Sequence, residues 1–432
     1  MNNPSSADSK SLRPFFTLWI GQAISLLGSQ LVQFALIWWL TETTGSAVVL
    51  ATASLAGLLP QVLLGPFVGV LVDRWNRRWT MFLADSGVML ATIVLAVLFW
   101  LDVAQLWHVF LILFVRAVAG AFHWPAMMSS TSLMVPDEHL TRIQGLNQTL
   151  NGGLNIASAP LGALLVSLLP LQAILAIDAI TAVFAIVPLL FVHVPQPEKQ
   201  DNLEGETAVS PLATFRQELV SGLRYVRGWP ALFILMGIAM IVNFLVTPAF
   251  ALVPLLVTNY FEGGAYHLSV LNVGFGIGTI CGGALLGAWG GFKNRMATSL
   301  SAGIGFAISL LLIGFTPVAL FWLAAVGMFL NGFMNSLLNG PIMAIVQSVV
   351  APKMQGRVFT LLISVSAGMS PLGLLIAGPL ADVLGVRSWF FLGGATMLLI
   401  SITSFFVPQL INMEEEAHLY QGVMEPATMN DL

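Results

Sequence analysis

Charge is what this chain has least of. Only 8% of its 432 residues are Asp, Glu, Lys or Arg, where a soluble domain carries about 25%. With 57% of the residues hydrophobic, that deficit excludes an ordinary globular enzyme. A net charge of −4 gives neither a nucleic acid nor an anionic partner much to bind. The single cysteine, Cys281, lies in an apolar glycine-rich run, so it offers neither an intramolecular disulfide nor a metal cage. Enzyme signatures are missing too. There is no phosphate-binding Gly-Lys-Ser loop, no zinc-type His/Glu spacing and no nucleophile elbow, so no catalysis and no cofactor are indicated. The polar opening, Met1 to Arg13, has no cleavable-signal pattern and reads as a short lead-in.

What the chain has instead is apolar runs. Twelve are long enough to cross a bilayer, which takes about 20 residues. They cover 15–41, 48–72, 79–101, 106–130, 143–169, 172–192, 231–258, 267–290, 296–315, 319–348, 357–383 and 388–410. The pattern predicts an all-α membrane protein with a lead at 1–14, six spans in 15–192, a polar linker at 193–228, six spans in 229–410 and an acidic tail at 411–432. Within the linker, 215–227 has amphipathic helical spacing and is expected to lie along the inner membrane surface. Basic residues test this map, because Lys and Arg collect on the cytoplasmic side. All of the 16 Lys and Arg sort to one face except Arg116, inside the fourth span, and Arg387, on the other face. Both termini are therefore expected in the cytoplasm of a bacterial plasma-membrane protein.

The loop between spans two and three carries the most specific signal. Gly69, Leu71, Asp73, Arg74, Arg77 and Arg78 spell G-x-L-x-D-R-x-x-R-R. This resembles the signature loop of major facilitator superfamily transporters. The two halves also echo each other. Residues 135–142 precede span five as 350–357 precede span eleven, and Ala159-Pro160-Leu161-Gly162 matches Ser370-Pro371-Leu372-Gly373. The resemblance implies two pseudo-symmetric six-helix bundles with a substrate site between them near the midplane. It also implies a gating role for Gly69, Asp73, Arg74, Arg77 and Arg78, since an acid near a helix end and several guanidinium groups form bonds that break on opening. Within the superfamily the chain is similar to the bacterial macrolide-efflux group of drug:proton antiporters, through residues 16–29, Ile177-Asp178-Ala179-Ile180 and Gly356-Arg357-Val358-Phe359. It departs from the antiporter pattern G-P-x-x-G-G in span five, where Ala159-Pro160-Leu161-Gly162-Ala163 stands.

Four ionisable residues fall inside spans. Arg116, about ten residues into span four, would cost at least about 2.5–3.5 kcal/mol facing lipid, so it should face a cavity or a partner. Arg116 and Gly120 match the superfamily's span-four motif, whose arginine the resemblance links to proton transfer. Asp85 in span three and Asp178 in span six must be paired or protonated, and either is a candidate proton carrier. The structural alternatives are a permanent pair of Asp85 with Arg116 or the arginine loop, and a local hydrogen bond for Asp178. His123, seven residues after Arg116, lies on a similar face and either joins a relay or is structural.

Polar residues also recur at helical spacing. Gln22, Ser25, Ser29 and Gln33 share one face of span one, Asn331, Asn335 and Asn339 one face of span ten, and Asn147, Asn151 and Asn155 one face of span five. In spans this apolar such stripes either glue helices or line a water-filled cavity. The resemblance places spans one, four, seven and ten around the cavity. It thereby implies substrate contact for Gln22, Ser29, Gln33, Trp124, Asn243, Asn331 and Asn335, and leaves the span-five stripe to packing or a lateral gate. The expected activity is proton-coupled export of a small amphipathic molecule by a chain functional as a monomer. An exporter of an endogenous product such as a siderophore, a lipid flippase, and a non-transporting receptor or scaffold are the alternatives.

Overall fold

The computed structural model describes residues 12–196, 211–350 and 352–415. Among them the chain is helical almost throughout, in fifteen α-helices. The N-terminal bundle comprises α1 (Arg13–Thr44), α2 (Ala47–Arg74), α3 (Arg77–Trp100), α4 (Leu106–Met134), α5 (Asp137–Leu168) and α6 (Leu171–Phe191). The linker contributes α7 (Pro211–Gly228). The C-terminal bundle holds α8 (Pro230–Ala251), the single turn α9 (Val253–Leu255), α10 (Ala265–Trp289), α11 (Arg295–Phe315), α12 (Phe321–Val349), α13 (Pro352–Leu384), α14 (Arg387–Ser404) and the short α15 (Pro408–Ile411). Linker residues 197–210, most of the lead and the tail beyond Glu415 lie outside the described residues.

Among the described residues, eleven helices are long and apolar enough to cross a membrane. The twelfth expected span is α14, which is shorter than the sequence suggests and starts on a charged residue. It runs for 18 residues from Arg387 and ends ahead of Pro408.

Local chemistry sets where helices start and stop. α1 ends at Gly45, in the left-handed region at φ 58°, where its N–H returns to Thr41 O. Asn76 caps α3 by accepting from Trp79 N, and Asn294 caps α11 by accepting from Ala297 N. Each cap is followed by an arginine, Arg77 and Arg295, so the start of α11 repeats the capping pattern at the start of α3.

Glycines let helix pairs approach backbone to backbone. A Cβ at Gly28 on α1 would collide with Thr181 on α6, and one at Gly278 on α10 would collide with the Phe329 carbonyl on α12. Between bundles, α2 packs on α13 and α5 on α10, while α7 touches both α2 and α13. The acidic segment is tied down where it begins: Asn294 Nδ2 donates to Ile411 O at 2.8 Å, and Arg295 pairs with Glu414 at 3.2 Å.

Candidate functional site

Four ionisable residues within the N-terminal bundle, Arg116, Asp178, Asp85 and His123, sit in two stacked layers between α1, α3, α4 and α6. In the first layer Arg116 Nη1 lies 2.6 Å from Asp178 Oδ2 and donates to Thr92 Oγ1 at 2.9 Å. Arg116 Nη2 reaches the carbonyl of Ser29 at 3.3 Å. Asp178 also accepts from Ser29 Oγ at 3.1 Å and from Thr92 Oγ1 at 3.3 Å. Its side chain is 3% exposed and that of Arg116 is 11% exposed. The missing Cβ at Gly28 lets α1 come close enough for this contact, because Asp178 Oδ1 lies against that same position.

The second layer repeats the first one heptad away. Gln22 Nε2 donates to Asp85 Oδ2 at 2.8 Å, and His123 Nε2 lies 3.4 Å from Asp85 Oδ1. The residues correspond by sevens: Gln22 with Ser29 on α1, Asp85 with Thr92 on α3, and His123 with Arg116 on α4. At 1.5 Å per residue the layers are about 10 Å apart, with the second nearer the arginine loop. Still closer to the loop, Trp19 Nε1 donates to Asn147 Oδ1 at 2.7 Å, joining α1 to α5.

At the loop, Arg77 Nη1 donates to Ser129 O on α4 at 2.9 Å. Arg78 donates to the carbonyls of Leu189 and Leu190 at the end of α6. A cation at a helix C-terminus answers the free carbonyls there. These bonds of both arginines stay within the N-terminal bundle. Gly69 and the side chains of Asp73 and Arg74 lie outside the described residues.

Between the bundles is a cavity of about 480 Å³. Its polar lining is Gln30, Gln33, Ser54, Asn155, Ser158, Asn272 and Thr279, and its apolar lining includes Phe34, Phe250 and Phe275. None of its described lining residues is ionisable. At the end of the bundles away from the arginine loop, Asp382 at the end of α13 crosses to the start of α2. It accepts from Ala47 N at 2.7 Å, Val48 N at 3.4 Å and Ser46 Oγ at 3.1 Å. Beside it Asn259 Nδ2 donates to Gly45 O at 3.1 Å, so the two bundles are latched there.

Several residues read as substrate contacts are placed elsewhere. Gln22 is 5% exposed and serves Asp85, and Ser29 serves Asp178. Asn331 is fully buried between α12 and α11, donating to Ser309 Oγ at 2.8 Å. Asn243 donates to Ala239 O within its own helix, Asn335 accepts from Asn339, and Trp124 is exposed away from the cavity lining. Of the predicted contacts Gln33 alone is among the residues lining this cavity. Asn155, which the sequence leaves to packing or a lateral gate, lines it as well, while the motifs and polar stripes pick out none of Gln30, Asn272, Thr279 and the latch residue Asp382. Asn272 and Thr279 stand seven residues apart on α10, a spacing that would have flagged them. Asp85 pairs with neither Arg116 nor the described loop arginines; Arg116 takes Asp178 instead.

A family model described as Major Facilitator Superfamily matches residues 18–374. Macrolide efflux protein A of Streptococcus pyogenes is 35% identical over 400 residues, which is 93% of this chain and 97% of that protein. Multidrug efflux pump Tap of Mycolicibacterium fortuitum is 26% identical over 422 residues, covering 90% and 94%. The solved D-xylose-proton symporter superposes with a TM-score of 0.66 at 12% identity, over 90% of this chain and 96% of that one. The nucleoside transporter NupG does so with a TM-score of 0.61 at 15% identity, over 89% and 98%. At those identities the structures speak for the fold alone.

Proposed function

The chain belongs to the Major Facilitator Superfamily, and from that premise we propose that it exports macrolide-type amphipathic molecules across a bacterial plasma membrane by proton-coupled alternating access. The observation that carries this reading is the similarity to Macrolide efflux protein A over nearly the full length of both chains. The geometry supports it in two places. The inter-bundle cavity offers aromatic faces with neutral donors and acceptors, which suits a large molecule of mixed polarity. The layered ionisable residues Arg116, Asp178, Asp85 and His123 provide the groups through which protons would act. Gln33 contacts substrate directly, joined by Asn155, Asn272 and Thr279. Asn243, Asn335 and Trp124 join them only in a conformation with the cavity reshaped.

The arginine loop with Asp73 forms the cytoplasmic gate, and the Asp382 latch closes the opposite, outer side. Both termini lie in the cytoplasm, and one chain suffices for transport. The test is accumulation of erythromycin and of ethidium inside everted vesicles, where export runs inward, with a proton gradient imposed and then collapsed. Gradient-dependent export of erythromycin is expected. Export that survives collapse removes proton coupling, and movement of neither probe by well-folded protein points to an endogenous product or lipid.

A further inference from the structure

The two polar layers share three helices and one heptad spacing, yet their chemistry differs in a way that divides the work of coupling. Arg116 cannot lose its proton in a protein, so a protonated Asp178 would leave a buried guanidinium without its counter-charge. Asp178 is also surrounded by donors from Arg116, Thr92 and Ser29, which suit a carboxylate. That layer favours one protonation state.

The Asp85 layer does not. Its second ionisable group is an imidazole, which can be neutral. The layer is therefore neutral while it holds one exchangeable proton, as carboxylate with imidazolium or as carboxylic acid with imidazole. Once that proton has left, as carboxylate with imidazole, it carries one negative charge. Gln22 serves both forms. Its Nε2 donates to the carboxylate as observed, and a rotation of the amide presents Oε1 to accept from an Asp85 O–H. His123 Nε2 is within ion-pair reach of Asp85 but makes no hydrogen bond among the described residues, so it is free to take one up. The layer's side chains are also less covered by protein than Asp178: Asp85 is 12% and His123 17% exposed, against 3% for Asp178 and 11% for Arg116.

We propose that the proton exchanged during transport resides on the Gln22–Asp85–His123 layer, while Arg116 and Asp178 stay ionised throughout and position α1, α3, α4 and α6 around it. The proposal rests on the proton-coupled reading above. A proton arrives from water, forms an O–H on Asp85 or an N–H on His123 at a lone pair already present, and leaves to water on the other side. Nothing is oxidised or reduced. The other charged or titratable groups on the surrounding helices are Arg116 on α4 and Asp178 on α6 one layer away and, towards helix ends, Arg13 and Glu42 on α1, Asp73 and Arg74 on α2, Arg77 and Arg78 on α3 and His108 on α4. Asp178 is already neutralised by Arg116.

The test is infrared difference spectroscopy of the full-length protein in lipid, titrated from acid to alkaline pH and read at the carboxylic-acid C=O stretch. One titrating component of the wild-type band should be missing in Asp85→Asn, persist in Asp178→Asn and shift its midpoint in His123→Gln. Asp85→Glu should restore it. A wild-type band unchanged in Asp85→Asn, or a component missing only in Asp178→Asn, overturns the assignment. Vesicle transport by the wild type separates the two levels. Gradient-independent export overturns proton coupling itself, whereas gradient-driven export beside an unchanged Asp85→Asn spectrum overturns the assignment alone.

Discussion

Removing one member of the Arg116–Asp178 pair should cost far more than removing both. Asp178→Leu leaves the guanidinium buried, with 11% of its side chain exposed and only hydroxyl and carbonyl oxygens around it. A buried charge that loses its partner destabilises by about 3–5 kcal/mol. In the double variant Arg116→Met with Asp178→Leu, no buried charge remains and the replacements are of comparable bulk, so stability should return to within about 1 kcal/mol of the wild type. The hydroxyls of Thr92 and Ser29, left without their charged partners, can turn to carbonyls one helical turn back. With each single variant costing about 3–5 kcal/mol and the double at most about 1, the cycle of Asp178→Leu, Arg116→Met and the double variant should show a coupling of at least about 5 kcal/mol, read from reversible unfolding of purified protein in mixed micelles. A double variant no more stable than Asp178→Leu would refute the reasoning, since it would mean the pair is not held as a mutual counter-charge. So would an Asp178→Leu variant within about 1 kcal/mol of the wild type, which would place Arg116 in contact with water.

Asp382→Ala removes a cap from the first turn of α2 that is supplied across the bundle interface, worth about 1 kcal/mol for an exposed cap and so about a fivefold shift toward the outward-open state. In a Cys281→Ser background, modification of Gln33→Cys by an impermeant maleimide from outside should speed up accordingly; an unchanged rate would deny the latch. Gly278→Leu drives a side chain into the Phe329 carbonyl and should destabilise by about 1–3 kcal/mol or more, seen as lost monodisperse protein. Gly283→Ala, where an added Cβ meets nothing within 4 Å, should behave as the wild type in the same assay.

The sequence displays what depends on local chemistry and hides what depends on register between helices. The arginine loop, the number of long apolar runs and the sorting of basic residues are all readable, because each rests on the cost of placing charge in hydrocarbon. So is the burial of Arg116, for which facing lipid would be prohibitive. Its partner is not readable: Asp85 and Asp178 both lie at plausible depth, and only the close approach of α1 and α6 at Gly28 decides for Asp178. The same limit explains the polar stripes. Gln22, Ser29 and Gln33 share one side of α1, but that side passes from the α3 and α6 contacts into the inter-bundle cavity along its length. In a soluble helix the polar face marks water. In a membrane helix a polar face marks either a neighbour or a cavity, and the chain alone does not say which.

The contrast between the bundles sharpens this point at Asn331. The C-terminal bundle has a buried polar contact between α12 and α11, but Asn331 and Ser309 are both neutral. Asn331 Oδ1 has no hydrogen-bond partner among the described residues, and Ser309 Oγ already donates to Phe306 O at 2.6 Å. Replacing Asn331 with Leu, similar in bulk, removes one hydrogen bond worth about 0.5–1.5 kcal/mol and one unsatisfied acceptor that costs about 1–3 kcal/mol. The two roughly cancel, so Asn331→Leu should unfold within about 1 kcal/mol of the wild type and still transport. If the residue bound substrate, the same variant would be stable but impaired in export, with the defect growing as substrate falls below saturation. A stable, export-deficient Asn331→Leu would therefore show that α12 turns this face to the cavity in another conformation. A stable and active one leaves Asn331 as a packing contact between α12 and α11.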